Sequence, residues 1–157
     1  MNDLAPNRMD IERGAQVAET PAEYNAKVIA EFRDNNGRVG GTWGEIPLLL
    51  LHHTGAKSGA SYLNPLAYLP DDSRYLIWAA NGGAQKNPAW YLNLKRQPIM
   101  RIEVGSETIE VLAEEARGDE RDRLFEKATD RYPQLADAAQ KTARVIPMIV
   151  LTPRLGS

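Results

Sequence analysis

Apolar residues recur along this chain in one long stretch of helical spacing and six stretches of strand type, separated by turns rich in glycine and proline. Tyr24, Val28, Ile29 and Phe32 share one helical face, which predicts a helix from about Pro21 to Asp34. Thr20-Pro21-Ala22-Glu23 reads as its capping box, and Asn35-Asn36-Gly37 as its stop. Gly40, Gly41 and Gly44 then break regular structure around Trp43, which reads as either a core plug, the favoured option, or a surface that meets ligand or partner. Pro47 to Thr54 is a continuous apolar run ending in two histidines, short enough for a buried strand. Ser61 to Leu69 is a second strand, and Pro65 within it implies an edge, a bulge or a bend, because proline cannot donate to a ladder. A Pro70-Asp71-Asp72-Ser73 turn leads to a third strand, Tyr75 to Ala80.

Asn87 and Pro88 have the chemistry of an N-cap and a first helical residue, so a helix is expected from Pro88 to about Arg96. Ile99 to Val104 and Thr108 to Ala113 alternate around Gly105-Ser106 as a hairpin. Asp119 is expected to cap a helix carrying Leu124, Phe125 and Ala128; Pro133 opens a shorter one, and Ile146 to Leu151 supplies the last strand. About six strands with short connections and inserted helices favour an α+β, mainly β fold with a mostly antiparallel sheet or small barrel. A doubly wound parallel sheet would need a helix between most successive strands. Residues 1–19 are polar and aperiodic and are expected to be mobile, leaving 20–157 as one domain.

Composition narrows the classes. The 157 residues are 43% hydrophobic and 25% charged, as in ordinary globular domains. There is no cysteine, which excludes disulfides, thiolate metal sites and cysteine nucleophiles. The longest apolar run is too short to span a bilayer, and no basic segment followed by an apolar one opens the chain, so the expected location is cytoplasmic, with at most peripheral membrane contact. A net charge of −2 argues against nucleic acid as a partner. Yet between His52 and Arg101 six basic residues face only Asp71 and Asp72, a local excess suited to a small anionic ligand.

Several chemistries fall away. His52 and His53 are neighbours in a strand and point to opposite faces, with no carboxylate at metal-motif spacing. Gly55-Ala56-Lys57-Ser58 lacks the glycines of a P-loop, and neither G-x-G-x-x-G nor G-x-S-x-G occurs. What remains is a pair of turns at strand ends. One is Gly55 to Gly59 with Lys57 and Ser58. The other runs from Ala80 and Asn81 through Gly82, Gly83 and Ala84 to Lys86 and Asn87, at a helix start whose free amides attract anions. Two such turns could hold the separated charges of one extended phosphorylated cofactor, which would supply the chemistry that the side chains lack.

The segments H-T-G-A-K-S-G, Leu63-Asn64-Pro65-Leu66, G-G-A-Q-K-N-P-A-W-Y-L-N-L, Tyr132-Pro133 and Ile146-Pro147 together resemble the deazaflavin-dependent nitroreductase family of actinobacteria. The resemblance implies a split β-barrel related to flavin-mononucleotide and pyridoxamine-phosphate oxidases. It also implies coenzyme F-420, an 8-hydroxy-5-deazaflavin with a phosphate and a polyglutamate tail, passing hydride to a quinone, nitroaromatic or enone-like acceptor. On this match Lys57 and Ser58 hold the anionic tail or phosphate, Asn64 and Pro65 lie along the deazaflavin, and Ala80, Asn81, Gly82, Gly83, Ala84, Lys86 and Asn87 form the phosphate-side turn. Trp90 and Asn93 belong to the helix behind it, and Tyr132 is the catalytic aromatic near the acceptor, able to donate a proton. Ala56 and Tyr62 stand where relatives often carry arginines, and Ala67, Leu135 and Ala138 where nitroreductases place tyrosines, so tail grip and acceptor choice are expected to differ. A flavin-mononucleotide enzyme and a non-catalytic carrier of deazaflavin or a lipid-like ligand are the alternatives. Exposed barrel edges suit a homodimer.

Overall fold

Leu48, Leu49, Leu50 and Leu51 are all buried, yet they serve two different cores. Successive strand side chains point to opposite faces. Leu48 and Leu50 therefore pack with Val28, Phe32, Trp78, Met148 and Leu124, whereas Leu49 and Leu51 pack with Ile77, Trp90, Tyr91, Leu94 and Ile149. Each such leucine contributes roughly 2 kcal/mol through burial.

The computed structural model describes residues 21–39 and 47–154. The chain runs α1 (Pro21–Asp34), β1 (Leu48–Thr54), β2 (Ser61–Ala67), β3 (Leu69–Asp71), β4 (Arg74–Trp78), a 3-10 turn (Asn81–Gly83), α2 (Ala89–Arg96), β5 (Ile99–Val104), β6 (Glu107–Glu115), α3 (Gly118–Arg131), α4 (Pro133–Gln140) and β7 (Met148–Pro153). The strands form one curled antiparallel sheet of seven in the order β2-β1-β5-β6-β7-β4-β3. The expected mainly β antiparallel architecture is the one observed. Helices α1, α3 and α4 cover the Leu48 and Leu50 face; α2 covers the other.

α1 has the expected bounds, with Val28 and Phe32 buried and Tyr24 and Ile29 packed beside them. It ends where Asn36 and Gly37 take positive φ, and a Cβ on Gly37 would stand 2.7 Å from Gly105 Cα, so the helix end rests directly on the β5–β6 turn. Pro65 lies in an outer strand, and the register from Leu48↔Ala67 to Thr54↔Ser61 is unbroken, so of the three sequence options it is the edge.

Three local expectations are corrected. The Pro70–Ser73 turn is shorter than expected: Leu69–Asp71 is a strand of its own, and only Asp72 and Ser73 turn, with Asp72 at φ 57. Asp119 is not the cap of its helix, because Arg117 takes that position and Asp119 lies in the first turn, where its charge still favours the helix dipole. Pro88, at ψ 155, is the N-cap of α2 in place of Asn87, and no side chain caps that helix. The expectations for residues 1–19, for the Thr20 cap and for Trp43 lie outside the described residues.

Candidate functional site

Strand β1 ends in the turn around Lys57, and β4 ends in the segment that leads through Lys86 to α2. These two ends face each other across a cleft of about 670 Å³. His53, Gly55, Ala56, Lys57, Ser58, Tyr62 and Asn64 line one side, and Asn81, Lys86, Asn87, Pro88, Ala89, Trp90, Leu92 and Asn93 the other. Of the residues expected to hold a cofactor, the cleft thus gathers Lys57, Ser58, Asn64, Asn81, Lys86, Asn87, Trp90 and Asn93. Pro65, Ala80, Gly82, Gly83, Ala84 and Tyr132 stand outside its lining.

The first turn is tight and self-supporting. Gly55 bonds through its amide to Ala60 O at 2.8 Å, Gly59 to Gly55 O at 3.0 Å, and the Ala60 amide donates to Ser58 Oγ at 3.1 Å. Lys57 and Ser58 are exposed at its tip. Beneath it lies a buried polar chain. The Ala56 amide donates to Asn93 Oδ1 at 2.9 Å, Asn93 Nδ2 meets His53 Nδ1 at 2.9 Å, and His53 Nε2 meets Asn64 Oδ1 at 2.7 Å. His53 and Asn93 are only 6% and 7% exposed, and the imidazole stacks on Tyr62 with ring centroids 5.5 Å apart. Burial pushes the His53 pKa below its ordinary value, so the ring is neutral at pH 7. Asn93 therefore belongs to the site by building the turn.

The second turn is held from outside. Arg144, between α4 and β7, donates to Ala79 O at 3.1 Å, Ala80 O at 2.8 Å, Ala84 O at 3.0 Å and Asn87 Oδ1 at 2.8 Å. This claim on Asn87 explains why its side chain does not cap α2: a guanidinium takes its acceptor. Gln85 adds bonds to Lys141 O and to Thr142. Asn81, at φ 50, spans its own loop by donating from Nδ2 to Lys86 O at 2.9 Å.

What the cleft offers chemically is positive and uncompensated. Among the described residues neither Lys57 nor Lys86 forms an ion pair, while the first amides of α2 have no side-chain cap. Trp90 supplies a buried aromatic wall, 4% exposed, and Leu92 an exposed apolar rim. The set fits a ligand with a flat apolar body and separated negative charges.

The family model described as F420H(2)-dependent quinone reductase matches residues 25–153. The chain belongs to that family. The F420H(2)-dependent quinone reductase of Mycobacterium tuberculosis is 39% identical over 132 residues, which make up 80% of this chain and 87% of that relative. Among solved structures, an F420-H2 dependent reductase is 34% identical at a TM-score of 0.62, covering 67% of this chain and 93% of its own. A protein described as a domain-swapped dimer is 30% identical at a TM-score of 0.64, covering 84% of this chain and 99% of its own. These two solved structures share the fold of the chain.

In this member of the quinone reductase family, Tyr132 lies apart from the lysine cleft. It ends α3 beside Trp78, ring centroids 5.6 Å apart, 2% exposed, with a buried hydroxyl that makes no hydrogen bond among the described residues. Burial pushes its pKa above the ordinary value of 10.0, so the phenol keeps its proton. Two residues escaped the sequence reading. The expectation that His52 and His53 face opposite ways holds, since His52 pairs with Glu103 at 2.6 Å while His53 turns to Asn93. The use of His53 at the cleft was not foreseen. Arg144 carried no signal either, because its partners are mostly backbone carbonyls far away in sequence.

Proposed function

We propose that this chain is a reductase that uses reduced coenzyme F-420 to reduce a quinone, with nitroaromatic or enone-like acceptors as secondary substrates. The observation that carries this reading is that the two lysine turns, each without an ion-pair partner among the described residues, face one cleft in a chain of the F420H(2)-dependent quinone reductase family. When bound, the coenzyme supplies a hydride from its deazaflavin ring. Lys57 and Ser58 would hold the anionic tail, while Lys86 and the first amides of α2 would hold the phosphate, with Asn64 and Trp90 beside the ring system. Asn93 and Asn87 keep the two turns in place, and Gly82, Gly83 and Ala84 shape the second. Tyr132, whose buried hydroxyl lies outside the cleft lining, would supply the proton that a reduced quinone needs only where the quinone reaches the face beside Trp78. The family name makes flavin mononucleotide unnecessary as a cofactor.

The test is titration of the purified protein with coenzyme F-420, followed by quenching of tryptophan fluorescence, and then anaerobic oxidation of the reduced coenzyme by a soluble quinone. Binding with a dissociation constant below about 50 µM and quinone-dependent oxidation are expected. Absence of binding at that level, or binding without turnover, would sink the reductase reading; the second outcome is that of a carrier. Homodimerisation belongs to the same proposal. It is supported by the outer strands β2 and β3 and by the 30% identical relative that is a domain-swapped dimer, and sedimentation of the free protein checks it.

A further inference from the structure

The hydrogen bonds beneath the cleft have only one consistent direction. A backbone amide can only donate, so Ala56 fixes Asn93 Oδ1 as an acceptor at 2.9 Å. The other end of that amide, Nδ2, must then donate to His53 Nδ1 at 2.9 Å. A ring nitrogen that accepts carries no proton, so the proton of the neutral imidazole sits on Nε2 and is donated to Asn64 Oδ1 at 2.7 Å. With its oxygen committed to His53, Asn64 has its amide N–H group left over. Asn64 lines the cleft, and its Nδ2 is neither bonded within the described residues nor among the buried unpartnered atoms.

We propose that His53 is a positioning residue whose Nε2-protonated, neutral ring turns Asn64 to present an N–H donor to the cleft, so that the ligand must place an acceptor oxygen there. This ligand requirement rests on reading the cleft as the coenzyme site; the proton placement does not. The device links the floor of the cleft to the turn that carries Lys57, because both depend on the Asn93 amide. A second proton, on His53 Nδ1, would face the Asn93 N–H group. Relief requires Asn93 to flip, which would turn that group against the Ala56 N–H and release the turn. The groups facing the ring are Tyr62 and Asn64 from β2 and Asn93 from α2, with His52 beside it on β1. Lys57 and Lys86 line the cleft on one side of His53, and Arg101 and Glu110 line a smaller cleft of about 280 Å³ on the other.

Nitrogen-15 NMR of the histidine rings reads the arrangement directly in the unmodified protein. At pH 7 His53 is expected to show a protonated Nε2 and a bare Nδ1; a protonated Nδ1, alone or with Nε2, would overturn the proposal. Asn93→Asp keeps the acceptor for Ala56 but replaces the donor to Nδ1 with a second acceptor, so His53 in that variant is expected to hold both protons at pH 7. A ring still neutral there, in a variant with a wild-type circular dichroism spectrum, overturns it as well. For the ligand arm, Asn64→Asp removes the donor and should weaken coenzyme F-420 binding about tenfold, whereas unchanged affinity would refute the donor role. If the unmodified protein does not bind the coenzyme, the functional reading fails while the NMR result still decides the placement of the proton.

Discussion

Gly83 lies directly against the carbonyl of Ala138: a Cβ built on it would stand 2.9 Å from that oxygen and 2.9 Å from Lys141 Cβ, at a φ of +86. The second cleft turn is thus seated on the end of α4 with no room for a side chain. Gly59, in the first turn, also has positive φ, at +73, but a Cβ built on it would meet nothing among the described residues within 4 Å. Gly59→Ala should therefore cost only the backbone strain, about 1 kcal/mol. Gly83→Ala adds a collision with main chain and should cost about 3 kcal/mol while displacing Lys86. Urea unfolding of the two variants measures the difference, and equal losses would show that the seat on α4 is not rigid.

Lys57 and Lys86 have different expected roles. Lys57→Ala should weaken coenzyme carrying a long glutamate tail about tenfold and leave the tail-less form within about twofold. Lys86→Ala should weaken both forms alike. Fluorescence titrations with the two forms separate these cases, and equal losses in the Lys57 variant would remove it from the tail site.

Tyr132→Phe deletes a hydroxyl that is buried and unbonded among the described residues. Stability should rise by about 1 kcal/mol, since the unmet desolvation of that oxygen disappears. If the phenol also serves as proton donor, quinone turnover should fall at least tenfold in the same variant with coenzyme affinity unchanged. Thermal unfolding together with steady-state kinetics reads both effects.

Asp71 is the buried anchor of a surface cluster. Its carboxylate accepts from Lys127 at 2.9 Å, Arg74 at 2.5 Å and Arg123 at 3.4 Å, tying β3 to α3. The Lys127 hydrogen bond and those of Arg74 and Arg123 outweigh burial and hold its pKa far below the ordinary 3.8. A depressed acid of this kind stabilises the fold fully above its unfolded value, and the contribution fades as pH falls from 3.8 toward the folded value. Asp71→Asn should therefore lower stability by about 2 kcal/mol at pH 7, with the gap to wild type closing in strong acid. Unfolding curves at pH 7 and at about pH 2 provide the comparison.

Much of the fold was legible because the signals were local. The bounds of α1 follow from Val28 and Phe32 on one face and Gly37 at its end, and the edge position of β2 is one of the three options that Pro65 left. The cleft was legible in part, because lysines beside glycine turns at strand ends are a chemical pattern visible in one dimension. What escaped depends on long-range partners. Asn87 has the composition of a cap, but Arg144, 57 residues away, takes its oxygen. Asp71 resembles a turn residue among Pro70, Asp72 and Ser73, yet Arg123 and Lys127, 52 and 56 residues away, join its neighbour Arg74 in making it a buried strand end. His53 looked like half of a histidine pair, and only the approach of Asn93, 40 residues on, gives its ring a defined proton.

The strand order has a mechanical consequence. β1 and β4, whose ends face the cleft, stand second and sixth among seven strands, with β5, β6 and β7 between them. A ligand bridging Lys57 and Lys86 would thus join points separated by nearly the full width of the curled sheet, as a bowstring joins the tips of a bow. Its occupancy would stiffen three strands that it never touches.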